Sequence, residues 1–219
     1  MSVSSKKNLF GKFVNLLSGK PEDEEGTLNE QEVVPLNNSF APKEPEPIYL
    51  SFVRNFTNSE GKFLYCENQK EAYHYLSLIM QESGINQIFN QNKDQQEMLE
   101  QASVTTTLDL TDADAYCCSC EYLVSFNGGI MITANQTLGK KLDELPETFI
   151  VIAFTSQITE NLRSALTGIR SKYQGDIPSQ ITTIKGPKKQ ENIDESTVAN
   201  NSICNKEIYL LLLEDQGQV

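Results

Sequence analysis

Basic residues are scarce in this chain of 219 residues, in which 18 Lys and Arg stand against 30 Asp and Glu and give a formal net charge of -12. Nucleic-acid binding relies on clustered cations that release counterions from phosphates, so this charge argues against a nucleic-acid partner. Long apolar runs are missing as well. No run reaches the roughly 18 to 20 residues of a transmembrane helix, and the N-terminus lacks the apolar core of a signal peptide. The sequence therefore predicts a soluble, cytoplasmic protein.

Histidine is almost absent, since His74 is the single one in the chain. No Ser or Cys nucleophile stands around it in a known catalytic spacing, so the sequence does not favour His-based acid-base catalysis. We expect His74 to lie at the surface or at the boundary of the core. The carboxylate pair of Asp112 and Asp114 lies in a turn-like stretch and is interpreted as solvated charge.

Five cysteines form an odd set without the spacing of a disulfide framework, which indicates reduced thiols. Three of them fall within four residues, at Cys117, Cys118 and Cys120. The Cys-x-x-Cys spacing of Cys117 and Cys120 is that of metal ligands and of redox pairs. No second motif of this kind completes a metal site, and cysteine is also a common small core residue. We therefore predict no metal and no cofactor, and we keep Cys117 and Cys120 as redox candidates.

Two segments of different composition precede the predicted domain. Residues 1–18 carry lysines and no acidic residue, and their apolar side chains recur at near-helical spacing, which predicts a short amphipathic helix. Its residues 8–17 could contact a membrane surface weakly, dock on a partner, or pack on the chain's own domain. Residues 19–47 are acidic and contain prolines, which predicts a disordered linker. The domain is predicted over residues 48–215, and residues 216–219 form a tail.

Strand-like and helix-like patterns alternate within the predicted domain, which is typical of an α/β fold with a mostly parallel sheet flanked by helices. The final apolar run, residues 207–213, has no polar side and is predicted to be a central strand. Asn127 and Gly128 separate two apolar runs, which predicts a local β-hairpin with a tight type I′ turn inside the same sheet. The other predicted strands cover residues 62–66, 87–89, 104–107 and 148–154, and the predicted helices cover residues 69–81, 94–101 and 159–172.

Four short segments of the domain form a recognisable series: Ser125-Phe126-Asn127-Gly128, Leu145-Pro146, residues 185–194 beginning Lys-Gly-Pro-Lys-Lys, and residues 201–206. Their order resembles the LUD (lactate utilisation) domain family of the LutC type, in a divergent version found in bacteria related to flavobacteria. That family has Ala-Glu-Thr-Gly, Leu-Pro, Thr-Gly-Pro-Ser-Arg and Gly-Val-His-Gly-Pro-Arg at the corresponding places. The resemblance covers about residues 48–215.

The polar residues of the family pattern are mostly replaced here, while its framework is kept. Gly128 and Gly186 match the pattern, but Phe126 stands where the family has an acidic residue, and Ile203 stands where it has a histidine. The Ser-Arg pair of the family is Lys188-Lys189 in this chain.

The resemblance implies a fold similar to the sugar-phosphate isomerase and CoA-transferase superfamily (NagB/RpiA-like). It also implies a role beside iron-sulfur proteins, LutA- and LutB-like, that oxidise lactate to pyruvate. Because the polar signature is degenerate, we expect an accessory subunit without catalytic residues. The alternative is an enzyme that binds a small anion (a carboxylate, a sugar phosphate or a CoA ester), since glycines and a helix N-terminus allow close approach of an anion. Its candidate ligand-binding residues are Asn127, Gly128, Lys185, Gly186, Lys188, Lys189 and Asn192.

Overall fold

The computed structural model describes residues 46–187 and 206–215. Its helices are α1 (Ile48–Asn58), α2 (Gln69–Ser83), α3 (Lys93–Gln101), α4 (Ala134–Thr137) and α5 (Leu162–Tyr173). Its strands are β1 (Lys62–Cys66), β2 (Ile88–Phe89), β3 (Thr106–Thr107), β4 (Ala115–Cys118), β5 (Tyr122–Val124), β6 (Gly129–Ile132), β7 (Thr148–Phe154), β8 (Ile158–Thr159), β9 (Thr182–Ile184) and β10 (Glu207–Leu213). The predicted N-terminal helix and linker lie outside the described residues, apart from residues 46 and 47.

The main sheet is parallel throughout and has the strand order β1-β10-β7-β4-β2-β3. Its two longest strands, β7 and β10, pair over their full length, from Thr148 beside Glu207 to Phe154 beside Leu213. Both strands are almost continuously apolar, as expected for inner strands that are covered on both faces. The predicted fold class and the central position of β10 are confirmed.

Helices α2 and α3 cover one face of this sheet and share a core with it, in which Leu76 and Leu99 pack with Leu211. Helix α2 begins after Asn68, whose side chain accepts a hydrogen bond from the Glu71 amide at 3.1 Å. It ends at Gly84, which adopts the left-handed conformation with φ +65°. The predicted helix and its glycine stop are confirmed. No helix among the described residues is long and apolar enough to cross a membrane.

The predicted hairpin exists, but two of its details were wrong. Strands β5 and β6 belong to a second sheet of order β8-β5-β6-β9 and not to the main sheet. Their loop has four residues, 125–128, because Val124 pairs with Gly129, and only Gly128 of this loop has positive φ. The physical reason is that the amides of Ser125 and Phe126 bond to the carbonyls of residues 159 and 160, which carries the chain along β8 before it turns.

The helix after β8 begins later than predicted. Its start was predicted at residue 159, but that residue belongs to the two-residue strand β8. Helix α5 begins at Leu162, after Asn161 caps it by accepting a hydrogen bond from the Ser164 amide at 3.0 Å. Helix α1 lies between the two sheets, where it contacts β1, β6 and β8. It buries Phe52, Val53 and Phe56 there, and this contact positions the segments of the candidate site.

Candidate functional site

Gly128 lies beside α1, and Gly186 lies beside the turn that follows α1. Gly128 directly precedes β6, Gly186 lies two positions after the end of β9, and the antiparallel register of these strands pairs Ile130 with Ile184. A Cβ atom on Gly128 would lie 2.3 Å from the backbone nitrogen of Phe56, and one on Gly186 would lie 2.1 Å from the carbonyl oxygen of Ser59. The space beside both glycines is thus filled by the backbone of α1 and of the turn that follows it. Glycine is required here by protein packing.

The loop that carries Gly128 is held by side-chain amides. Asn55 of α1 donates from Nδ2 to the carbonyls of Ser125 at 2.8 Å and Phe126 at 3.2 Å. Asn127 accepts from the amide of Gly129 through Oδ1 at 3.0 Å. The structure therefore brings Asn127 and the two glycines together, and it uses the Asn127 oxygen within its own turn.

Lys185 is the cation that the structure places at this location. It is half-buried, and this burial lowers the pKa of its ammonium group. It directly follows β9, and among the described residues no carboxylate forms an ion pair with it. Lys188, Lys189 and Asn192 lie outside the described residues.

The location is unusual for a ligand site in an open α/β sheet. A Cβ on Gly186 would also lie 2.5 Å from the amide of Gly61, the residue just before β1. The candidate segment therefore meets the amino end of a main-sheet strand, whereas ligands in such folds bind beyond the carboxyl ends.

Lys206 anchors the start of the last strand, a role that the sequence did not predict. It is buried just before β10, and its Nζ donates to the carbonyl of Leu145 at 2.8 Å and to Oε1 of Glu147 at 3.0 Å. Glu147 is 82 % exposed, so the carbonyl is the buried partner. This contact ties the last strand to the Leu-Pro segment before β7. Local pattern could not reveal it, because the partners lie about 60 residues apart in the chain.

Glu121 is a second group that sequence reasoning missed. Its side chain has no exposure, and it accepts hydrogen bonds from Lys172 Nζ at 2.8 Å, the Tyr173 hydroxyl at 2.7 Å and Gln136 Nε2 at 2.8 Å. Burial raises the pKa of this carboxyl, but the three hydrogen bonds outweigh burial and leave the pKa below its ordinary value. The carboxylate is therefore ionised and satisfied, and it joins the β4–β5 connection to α4 and α5. A lone Glu between two apolar strands was the signal that could have found it.

The redox candidates Cys117 and Cys120 are buried, as are Cys66 and Cys118. Burial raises the pKa of all four thiols, to about 12 for Cys66 and Cys118, which leaves little reactive thiolate at neutral pH. No group of three or more metal-ligating side chains occurs within residues 46–187 and 206–215. A redox role for the pair stays a prediction, and the geometry is that of small core residues.

The remaining polar candidates lie apart from the glycines. His74 is exposed on α2, with its ring centroid 5.9 Å from that of Tyr75. Asp114 accepts from the amides of Asn86 at 2.7 Å and Gln87 at 3.1 Å, and these bonds lower the pKa of its carboxyl. Its carboxylate therefore caps the turn before β2.

This chain is similar to a known protein family and to a solved structure. A family model described as the LUD domain matches residues 50–213. The chain belongs to the LUD domain family. The crystal structure of a DUF162 family protein from Deinococcus radiodurans is similar, with a TM-score of 0.55 and 14 % identity over 76 % of this chain and 96 % of that one. At this identity the likeness shows the fold alone. No curated protein matches the chain.

Proposed function

We propose that this LUD domain protein is an accessory, non-catalytic subunit that works beside iron-sulfur proteins that oxidise lactate to pyruvate. One observation carries the proposal: Gly128 and Gly186, the family-like glycines, are packed against protein backbone. In this position they support the framework of the domain and leave no room between themselves and α1 for a ligand.

The side chains nearby also support a non-catalytic role. Phe126 takes the place of the family's acidic residue, and the Asn127 oxygen is used within its own turn. Glu121, the most deeply buried carboxylate described above, has its donors in place already. An accessory subunit needs a stable framework, and the packing of both glycines against backbone supports one.

The test is affinity purification of the full-length protein from its source organism after mild crosslinking, with partners identified by mass spectrometry. We expect co-recovery of a protein that carries iron and acid-labile sulfide. A matched purification of a version lacking residues 1–47 shows whether the N-terminal segment contributes. Recovery of the crosslinked protein without any iron-sulfur partner would refute the proposal.

A second candidate function is the binding of a small anion at Lys185. The observation in its favour is that this half-buried lysine has no carboxylate partner among the described residues. A ligand at about 100 times its Kd stabilises a protein by about 2.7 kcal/mol, which thermal unfolding detects easily. Lactate, ribose 5-phosphate and coenzyme A at millimolar concentration are the probes, with Lys185→Ala as the control. If the wild type and the variant melt alike with all three, this candidate is eliminated.

A further inference from the structure

Asn127 and Gly128 form the only Asn-Gly pair in the chain. In such a pair the glycine nitrogen can attack the side-chain amide of the asparagine, because glycine has no side chain that hinders the approach. The nitrogen of Gly128 bonds to Cγ of Asn127, the bond from Cγ to Nδ2 breaks, and ammonia leaves with the proton that the nitrogen loses. Water then opens the resulting succinimide ring at either carbonyl, which leaves aspartate or isoaspartate at position 127. This deamidation needs no enzyme and no cofactor.

The side chain of Asn127 is partly exposed to water but is held in one orientation. Its Oδ1 accepts a hydrogen bond from the Gly129 amide at 3.0 Å. A Cβ atom on Gly129 would lie 2.9 Å from this Oδ1 and 2.2 Å from Cγ2 of Thr183, so both side chains lie directly against Gly129. Closure of the succinimide ring changes the torsion angles of the Asn127 side chain and therefore disturbs these contacts.

Helix α1 restrains the peptide unit that carries the attacking nitrogen. A Cβ atom on Gly128 would lie 2.3 Å from the backbone nitrogen of Phe56 and 2.4 Å from the carbonyl carbon of Asn55, so there is no free space on this side. Asn55 also donates from Nδ2 to the carbonyls of Ser125 and Phe126. Rotation of the peptide before Gly128, which ring closure requires, therefore needs the loop of residues 125–128 to move away from α1.

We propose that Asn127 is a deamidation site whose reaction rate is set by the separation of the loop of residues 125–128 from α1. While the loop is packed on α1 the reaction is blocked, and once they separate the Asn-Gly pair reacts as in an unfolded chain. The two products affect the fold differently. Aspartate still offers a carboxylate oxygen to the Gly129 amide. Isoaspartate adds one atom to the main chain of a loop that is packed against α1, so its formation makes the opening of this contact irreversible. This inference does not depend on the proposed function.

The test follows the full-length protein during incubation in mildly alkaline buffer, in which the attacking nitrogen loses its proton more readily. Peptide mass spectrometry measures the conversion of Asn127, and chromatography of the peptides separates isoaspartate from aspartate. We expect the rate constant to be at least about tenfold lower in the native than in the urea-unfolded protein. Asn55→Ala should raise the native rate about 3- to 10-fold, because it removes the hydrogen bonds from α1 to the loop. The matched control is Asn135→Ala, which removes an exposed amide that donates to the Tyr173 hydroxyl and should leave the rate unchanged.

A second measurement needs no variant. Separation of α1 exposes Phe52 and Phe56, so the rate of the wild type should rise steadily with urea below the unfolding transition. Equal rates in the native and the unfolded protein would overturn the inference, as would a native rate that urea below this transition leaves unchanged. Melting curves show whether Asn55→Ala is folded, and the urea series decides if it is not. Asn127→Asp should melt like the wild type, whereas protein aged to isoaspartate should melt at a lower temperature. An aged sample that melts like fresh protein would show that the product still packs on α1.

Discussion

Substitution of Gly128 by alanine tests whether this glycine serves packing or ligand approach. Two penalties add at this position. Its φ of +65° lies in the left-handed region, which costs a residue with a Cβ about 1 to 2 kcal/mol. The new Cβ would also meet the Phe56 nitrogen at 2.3 Å and the Asn55 carbonyl carbon at 2.4 Å. Backbone atoms of a packed helix cannot move aside freely, so overpacking adds about 1 to 3 kcal/mol. The free energy of unfolding should fall by about 2 to 5 kcal/mol.

Two matched variants separate the penalties. Gly84 has the same φ of +65°, but a Cβ there would meet nothing within 4 Å, so Gly84→Ala carries the conformational cost alone. Gly186 is outside the left-handed region, yet its Cβ would lie 2.1 Å from the Ser59 carbonyl, so Gly186→Ala carries the steric cost alone. We expect losses of about 1 to 2 kcal/mol and about 1 to 3 kcal/mol respectively.

Urea unfolding followed by circular dichroism measures these losses, and thermal melting gives a second readout. In a domain of this size each kcal/mol lowers Tm by about 2 to 4 °C. If Gly128→Ala loses no more stability than Gly84→Ala, α1 does not press on Gly128 and the packing argument is wrong. A variant of unchanged stability that has lost affinity for an anion would favour the small-anion function instead.

Three further predictions concern buried polar groups and thiols. Glu121→Gln should cost about 1.5 to 3 kcal/mol at neutral pH, because hydrogen bonds to a charged acceptor are weakened. The pKa of Glu121 is lower in the folded than in the unfolded state, so its carboxylate stabilises the fold above the unfolded pKa of about 4.3. This stabilisation is lost as the pH falls through the folded-state pKa. The Glu121→Gln variant lacks this group and should therefore show a flatter acid-unfolding profile. Lys206→Met should cost about 1 to 3 kcal/mol in urea unfolding, since the Leu145 carbonyl loses its donor. Cys117 and Cys120 should resist iodoacetamide in the native protein at neutral pH and react fully in guanidinium, as read by peptide mass spectrometry.

The controls use exposed groups of the same type. Glu97→Gln changes an exposed carboxylate on α3 and should leave the free energy of unfolding within about 0.5 kcal/mol of wild type at both neutral and acid pH. Glu147→Gln removes the exposed partner of Lys206 and should also be nearly neutral. An equal loss of stability for Glu147→Gln and Lys206→Met would show that the ion pair, and not the hydrogen bond to the buried carbonyl, stabilises the protein. Rapid native labelling of Cys117 or Cys120, or a disulfide between them under mild oxidant, would favour the redox function.

Most of the main sheet could be predicted because the signals for its strands are local, but the inner strand β4 was not predicted. Strands β7 and β10 are continuous apolar runs, and α2 carries both its cap at Asn68 and its stop at Gly84. The second sheet could not be predicted in the same way. Strand β8 has two residues and β9 has three, which is too short for a period to be read, and their pairing depends on partners distant in sequence.

The candidate site was predictable in part for the same reason. The family-like segments contain Gly128 and Gly186, which are 58 positions apart in the chain and which pack against α1 and the turn after it. Nothing local showed that α1 would fill the space beside them. The partners of Glu121 and Lys206 come from three separate segments, so the burial of these two side chains could not be predicted before the fold was known.

The loop of residues 125–128 combines a backbone held by hydrogen bonds with an exposed side chain at Phe126. Backbone bonds to Glu160 and Asn55 do not involve the ring of Phe126, so the ring can be replaced without moving Gly128 off α1. Phe126→Glu should therefore leave the free energy of unfolding within about 0.5 kcal/mol of wild type. Urea unfolding gives the readout, and a loss of more than about 1 kcal/mol would show that the ring of Phe126 contributes to packing.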